Sequence, residues 1–173
     1  MRKTVPILYL CFSFAVSPVQ AGITDPVPIH SMVSLEKTRP FFYPVTKNFY
    51  NDQDKIAAQT ILMEALGEGY EGMVAVGEVI RNREKLFSKD VDSVCLMPRQ
   101  FSCWNDTKRA HEFLRKNRLY LFVALLAWKH SKRTSLTHGA TDYHANSVHP
   151  YWADAYRVTT RIGRHIFYAR EVV

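Results

Sequence analysis

The sequence predicts a single α+β domain that is mostly helical and carries a small β-sheet or terminal hairpin. From Asn51 onward, apolar residues recur at helical spacing along two consecutive segments. Residues 157–168 are instead rich in β-branched and aromatic side chains around Gly163, which is typical of strands. One hydrophobic core is expected, since the chain has 173 residues and single domains commonly hold roughly 100–150.

The first 21 residues have the pattern of a secretory signal peptide. Arg2 and Lys3 precede an apolar run, and Val19-Gln20-Ala21 is typical of cleavage before Gly22. The run is too short to span a bilayer stably, although an uncleaved N-terminal anchor is the alternative. We therefore predict an exported protein, periplasmic or extracellular, with no stable membrane insertion after cleavage.

The charge of the mature chain favours an anionic partner. The whole sequence has 23 Lys+Arg and 16 Asp+Glu, and the predicted signal peptide holds two of the basic residues and none of the acidic ones. The mature part therefore keeps 21 basic and 16 acidic residues, a net charge of +5. Nucleic acid and peptidoglycan are both polyanions, and export favours the cell wall over nucleic acid. No protein partner can be inferred.

The elements are expected in the following order. Residues 22–48 contain four prolines and no sustained period, which indicates an extended N-terminal arm before a domain of residues 49–173. A first helix should begin at Asn51 or Asp52 and stop near Gly67 or Gly69. A second helix is expected from about residue 71 to residue 85.

The second half of the chain alternates loops with one long helix. Residues 88–106 are predicted to be a loop, and residues 107–130 a helix that is first basic and then apolar. The segment after it is expected to form loops before the terminal hairpin at 157–168. The basic residues at the start of the long helix are best explained as a solvated face.

Two cysteines, Cys95 and Cys103, remain after removal of the signal peptide. An even number of cysteines in an oxidising compartment predicts a disulfide, and two free thiols are the alternative. A zinc pair is disfavoured, because zinc cysteines are usually separated by two to four residues.

Glu64 occupies an unusual position for a carboxylate. It falls in the last apolar turns of the first predicted helix, which then breaks at glycines. Both an apolar environment and the partial negative charge at a helix C-terminus favour a protonated carboxyl group. Such a group suits a general acid, although solvent exposure of Glu64 and Glu68 is the alternative reading.

Four blocks of the sequence carry a family resemblance. Residues 64–83 match the pattern Glu-Ala-x-Gly-Glu, Gly-x-x-Ala-Val and Val-Ile-x-Asn-Arg. Further matches follow at Gln100-Phe101-Ser102, at Gly139-Ala140 with Tyr143 and His144, and over residues 160–168. In this order the blocks resemble the SleB/CwlJ-type cell wall hydrolase family, the spore cortex-lytic enzymes, over about residues 55–169.

The resemblance implies a lysozyme-like domain that cuts the bond between N-acetylmuramic acid and N-acetylglucosamine in peptidoglycan. It carries Glu64 over as the catalytic residue, and leaves Glu68 and Asp142 as a second acid or as support for the motif. Residues 139–144 have fewer aromatics than is usual in relatives. Candidate contacts to the glycan are Gln100, Ser102, Tyr143, His144 and Trp152.

The expected reaction is that of a lytic transglycosylase, which leaves 1,6-anhydro-muramic ends. One carboxylate suffices for it, and the sequence supplies one obvious acid. The alternatives are a muramidase that hydrolyses the same bond, which would need an opposing carboxylate, and a non-catalytic peptidoglycan-binding periplasmic protein. No cofactor is expected, and no metal, because the spacing of His138, His144, His149 and Asp142 matches no known metal motif.

Overall fold

The computed structural model describes residues 52–170. The predicted signal peptide and the arm at residues 22–48 lie outside this range. The helices in chain order are α1 (Asp52–Ala65), α2 (Gly69–Phe87), α3 (Val91–Leu96), α4 (Thr107–Lys116) and α5 (Leu121–His130). The strands are β1 (Asp142–Ala145), β2 (Arg157–Ile162) and β3 (His165–Ala169). Single 3₁₀ turns lie at Leu66–Glu68, Ser102–Trp104, Arg118–Tyr120 and Ala153–Ala155.

Helices α1, α2 and α5 surround the main hydrophobic core, which buries Ile61, Leu62, Ile80 and Trp128. Helix α1 ends at Ala65, close to the predicted stop near Gly67 or Gly69, and passes into the 3₁₀ turn Leu66–Glu68, which Gly69 ends with φ 72°. Helix α2 follows at once and is buried over most of its circumference. Both predicted helices are confirmed.

The region between α2 and the sheet differs from the prediction in two ways. The expected loop at 88–106 contains α3, whose start is capped by Asp90: its carboxylate accepts a hydrogen bond of 2.7 Å from the Ser93 backbone amide. The expected helix at 107–130 is two helices, α4 and α5. Helix α4 stops at Asn117, whose side-chain amide donates to the carbonyl of Phe113 at 2.9 Å, so the side chain satisfies a terminal carbonyl.

The sheet is antiparallel with the order β1-β3-β2. The predicted terminal hairpin is confirmed as β2 and β3, which turn at Gly163 with φ 57°. Strand β1 adds a third strand in a segment expected to be a loop. Local alternation is weak over its four residues, and its pairing with β3 only becomes available in the folded chain.

The register assigns each residue of β1 and β3 to one of two faces. Tyr143 lies opposite Phe167, and His144 lies opposite Ile166. The face with Tyr143 and Phe167 packs on α2 through Ala75. The other face carries His144 and Ile166 and is covered by the segment that holds Trp152, Ala153 and Tyr156.

The described chain is therefore mostly helical with one small antiparallel sheet, which confirms the predicted α+β class. Between residues 52 and 170, every helix is too short or too polar to cross a membrane.

Candidate active site

Glu64 lies in the last turn of α1, half-buried, between the sheet and the Ser102–Trp104 turn. The hydroxyl of Tyr143 donates a hydrogen bond of 2.9 Å to its Oε2. The backbone amide of Cys103 donates to its Oε1 at 3.3 Å. One carboxylate is thus held from both sides by residues that are remote in sequence, and this fixes its orientation.

The phenol of Tyr143 stays protonated over the whole physiological range. Burial of its ring and the negative charge of Glu64 raise the pKa of Tyr143 well above 10. Its hydroxyl can donate a hydrogen bond to an ionised carboxylate and can also accept a hydrogen bond from a neutral carboxyl group. The Tyr143 contact can therefore persist in either protonation state of Glu64.

Glu68, the second acid of the motif, forms an ion pair with Arg164 in the β2–β3 turn. Its Oε2 accepts from the backbone amide of Arg164 at 2.7 Å, and its Oε1 accepts from Nε and Nη2 of that guanidinium at 2.9 and 2.7 Å. Burial opposes ionisation, but these hydrogen bonds outweigh it and lower the pKa of Glu68. Glu68 therefore fastens the hairpin turn to the end of α1.

Two glycines make room for this contact. A Cβ added at Gly67 would lie 2.8 Å from Nη2 of Arg164. A Cβ added at Gly163 would lie 2.4 Å from Oε2 of Glu68, and Gly163 also has a positive φ. The glycines of two separate sequence blocks thus meet around one ion pair, and the need for glycine is strongest at Gly163, where the positive φ and the contact coincide.

Asp142 is almost fully buried and serves as an anchor for the sheet. Its carboxylate accepts two hydrogen bonds from Arg170, at 2.8 and 2.9 Å, and one from the Thr141 hydroxyl at 2.8 Å. The Arg83 guanidinium is 3.8 Å away. Burial would raise the pKa of Asp142, but Arg170 and Arg83 lower it overall. Successive strand residues point to opposite faces, so Asp142 points away from the side on which Tyr143 meets Glu64.

The predicted glycan contacts separate into two groups. Ser102 begins the turn that brings the Cys103 amide to Glu64, and Gln100 lies two residues before it. Gln100 is buried, its backbone carbonyl accepts from Arg83 at 3.0 Å, and its Oε1 has no hydrogen-bond partner in the part of the chain that the structure describes. Tyr143 and the turn that begins at Ser102 therefore lie beside Glu64, and Gln100 precedes that turn in sequence.

His144 and Trp152, the other two candidate glycan contacts, lie on the opposite face of the sheet from Tyr143 and Glu64. The rings of His144 and Trp152 are 5.7 Å apart, and Nε2 of His144 lies 2.8 Å from the Tyr168 hydroxyl. The reason is strand alternation: His144 follows Tyr143 directly, so its side chain must point the opposite way. His144 therefore packs against Trp152 of the 146–156 segment.

The predicted disulfide is absent, and both cysteines are free thiols. Cys95 is buried and Cys103 is half-buried. Burial raises the pKa of Cys95 to about 12 and raises that of Cys103 as well. The thiolates needed for disulfide formation are therefore scarce.

Sequence reasoning missed His165 and Arg164 as members of the site. His165 begins β3 on the same face as Tyr143, with ring centroids 4.8 Å apart. The only sequence signal was their presence in the last matching block, after Gly163. Nothing in the spacing of that block shows that it folds back on Glu64 and Glu68.

Comparison with known proteins identifies the family. The family model described as Cell Wall Hydrolase matches residues 67–168, which is more than half of the chain. The chain belongs to the cell wall hydrolase family. As a cell wall hydrolase it is a peptidoglycan-degrading enzyme, and the matched region runs from the turn before α2 to the fourth residue of β3.

Two solved structures resemble this cell wall hydrolase. They are the catalytic domain of the Bacillus cereus SleB protein and the catalytic domain of the germination-specific lytic transglycosylase SleB from Bacillus anthracis. Each is 27% identical to the chain with a TM-score of 0.55 over 70% of the chain, and the match covers 94% and 98% of those structures respectively. No curated protein matches the sequence. The predicted resemblance to SleB-type hydrolases is thereby confirmed.

Proposed function

We propose that this cell wall hydrolase is an exported lytic transglycosylase that cuts the bond between N-acetylmuramic acid and N-acetylglucosamine, with Glu64 as its catalytic acid and base. The observation that carries the proposal is the contrast between three carboxylates. Glu68 and Asp142 are each neutralised by arginine, whereas Glu64 is held by a hydroxyl and a backbone amide. Only Glu64 has partners that leave it able to exchange a proton.

In the proposed reaction, protonated Glu64 gives its proton to the glycosidic oxygen as the bond from that oxygen to muramic C1 breaks. The ring then passes through an oxocarbenium-like state. Ionised Glu64 next takes the proton of the muramic C6 hydroxyl while that oxygen bonds to C1. The products are a 1,6-anhydro-muramic end and a free N-acetylglucosamine hydroxyl. Glu64 ends the cycle protonated, and no water or cofactor is consumed.

Tyr143 suits a reaction in which a single carboxyl group changes protonation state twice. When Glu64 is ionised, the Tyr143 hydroxyl donates to it, as in the observed contact. When Glu64 is protonated, the same oxygen can accept. The carboxyl group therefore keeps its orientation through both proton transfers, which is the requirement for acid and base steps at one residue.

Two further features support the proposal. The Bacillus anthracis structure that resembles this chain is a germination-specific lytic transglycosylase. The net charge of +5 after signal removal fits the anionic stem peptides of peptidoglycan, and the signal-like N-terminus fits action outside the cytoplasm. Gln100 and Ser102 are proposed to contact the glycan, because Ser102 begins the turn that meets Glu64 and Gln100 lies two residues before it.

The test is a digest of purified sacculi with the mature protein, followed by mass spectrometry of the released muropeptides. We expect 1,6-anhydro-muramic ends, which are lighter than hydrolysed ends by one water. Glu64→Gln should abolish release while the variant still sediments with the polymer. Glu71→Gln, an exposed glutamate in the first turn of α2, is the matched control and should remain active.

Other products would contradict the proposal in distinct ways. Reducing muramic ends alone would show a muramidase. Reducing N-acetylglucosamine ends, or intact glycan with freed peptides, would show that another bond is cut. Binding without release by the unmodified protein would show a peptidoglycan-binding protein without turnover.

A further inference from the structure

His165 is a buried histidine on the active-site face of the sheet whose Nδ1 has no hydrogen-bond partner among residues 52–170. A buried polar atom without a partner is uncommon in folded proteins and calls for an explanation. No step of the proposed reaction uses this ring. The ring nevertheless packs against Tyr143, which contacts the proposed acid Glu64.

The contacts of His165 connect it to Glu64 through one intermediate. Its ring packs against Tyr143, with centroids 4.8 Å apart and an interplanar angle of 46°. The Tyr143 hydroxyl in turn donates to Glu64 at 2.9 Å. Phe167, 5.5 Å from the Tyr143 ring, packs on the same ring, so Tyr143 is held by two aromatic neighbours of β3.

The surroundings of His165 favour its neutral form. A charged imidazole carries a proton on both nitrogens, and each N–H then needs a hydrogen-bond acceptor. No acceptor faces the buried Nδ1 of His165 among the described residues. Burial lowers the pKa of His165 even though the negative charges of Glu68 and Glu64 act in the opposite direction. Arg164 in the adjoining turn and His144 on the other face of the sheet disfavour the charged form further.

We propose that His165 is a positioning residue of the cell wall hydrolase, and that its neutral ring holds Tyr143 in hydrogen-bonding contact with Glu64. This role rests on the proposed function of Glu64. A neutral ring fixes Tyr143 by packing and adds no positive charge beside the carboxyl group. A charged ring would stabilise the ionised form of Glu64, which cannot give a proton to the glycosidic oxygen.

The packing role is tested by removing the ring and by replacing it. In His165→Ala the Tyr143 ring loses one of its supports, so the rate of muropeptide release at saturating sacculi should fall roughly tenfold, the loss expected when the Tyr143 hydrogen bond to Glu64 is broken. The half-saturating concentration should stay nearly unchanged. His165→Phe keeps an uncharged ring at the same place and should retain a rate within about threefold of wild type, well short of that loss.

Two measurements separate positioning from a general loss of structure. Ile166→Ala removes a buried side chain next to His165 in sequence, on the opposite face of the sheet. This variant should have a lower thermal stability but the wild-type rate of muropeptide release. On a Tyr143→Phe background, His165→Ala should cost less than about twofold, because a residue that acts through Tyr143 has nothing left to position.

A readout without turnover keeps this inference distinct from the proposed function. In protein labelled at the tyrosine ring carbons, the Tyr143 resonance is assigned by its absence in Tyr143→Phe and followed with pH by NMR. His165→Ala should lower the pKa of Tyr143 towards its ordinary value, because water reaches the ring, and His165→Phe should not. This result is obtained even if wild-type protein releases nothing from sacculi, an outcome that would overturn the proposed function alone.

The inference is overturned by any of three results. The first is a rate of muropeptide release by His165→Ala that equals the wild-type rate. The second is inactivity of a folded His165→Phe protein, which would show that a ring nitrogen acts directly. The third is a Tyr143 titration that does not change in His165→Ala.

Discussion

The hydroxyl of Tyr143 reaches Oε2 of Glu64 at 2.9 Å and so joins the edge of the sheet to the last turn of α1 across 79 residues of sequence. With the Cys103 amide on the other oxygen, this contact leaves the carboxylate little freedom to rotate. The orientation of the proposed acid thus depends on Tyr143 and Cys103, which both lie far beyond α1 in the sequence.

Tyr143→Phe should lower the rate of muropeptide release about tenfold, since one hydrogen bond to a charged group contributes on the order of 1.5 kcal/mol. Thermal stability should change little, because the ring remains packed on His165 and Phe167. Tyr151→Phe, at an exposed tyrosine, is the control and should keep the wild-type rate. Equal activity of wild type and Tyr143→Phe would remove Tyr143 from the mechanism.

Glu68→Gln should destabilise the protein by about 1–3 kcal/mol at pH 7, because the charged hydrogen bonds to Arg164 are lost. Arg164 is 68% exposed, so screening by water favours the lower end of this range. The pKa of Glu68 is lowered by folding, so its contribution is present above the unfolded value of 4.5 and declines as the pH falls through the folded value. The stabilities of wild type and variant in urea should therefore converge as the pH falls from 4.5 through the folded-state pKa of Glu68.

The pH dependence of this pair distinguishes an ion-pair role from a catalytic one. A constant stability difference between pH 7 and pH 3 would exclude an ionised Glu68 as its cause. If Glu68→Gln instead kept full stability but lost all release from sacculi, Glu68 would be a second catalytic acid and the enzyme a candidate muramidase.

Gly163→Ala should be more destabilising than Gly139→Ala. Both glycines have a positive φ, of 57° and 82°, so both substitutions carry the strain of a left-handed backbone. Only at Gly163 does the new methyl group meet another atom, Oε2 of Glu68 at 2.4 Å. Gly139→Ala is therefore a control for strain alone, expected to cost about 1–2 kcal/mol. Equal melting temperatures of the two variants would contradict a close approach of Glu68 to the turn.

Asp142→Asn should cost about 3–5 kcal/mol, because it leaves the buried guanidinium of Arg83 and the partly buried one of Arg170 without a carboxylate. Chemical denaturation measures this loss. The folded fraction should still release the wild-type product, since Asp142 points away from Glu64. Asp154→Asn, an exposed carboxylate beside His149, is the control and should change stability by less than about 1 kcal/mol.

The sequence determined those features that depend on neighbouring residues. The apolar spacing before Gly69 sets α1, the apolar run after it sets α2, and the β-branched residues around Gly163 set the hairpin. Local reasoning marked Glu64 as a carboxylate in an apolar turn, and the family resemblance then singled it out as the candidate acid. Local reasoning missed α3, which is only six residues long, and the break at Asn117, where both flanking segments favour helix.

Only the tertiary structure decided which side chains meet. Whether Tyr143 or His144 points at Glu64 depends on the register of β1 against β3, and a shift of one residue would exchange them. The pairing of Glu68 with Arg164 spans 96 residues and likewise follows from the position of the hairpin turn against α1. The spacing of apolar residues indicates whether a segment favours helix or strand. It does not indicate which other segments of the chain that segment contacts. The acid could therefore be found in the sequence, whereas the residues that orient it became visible only in the folded chain.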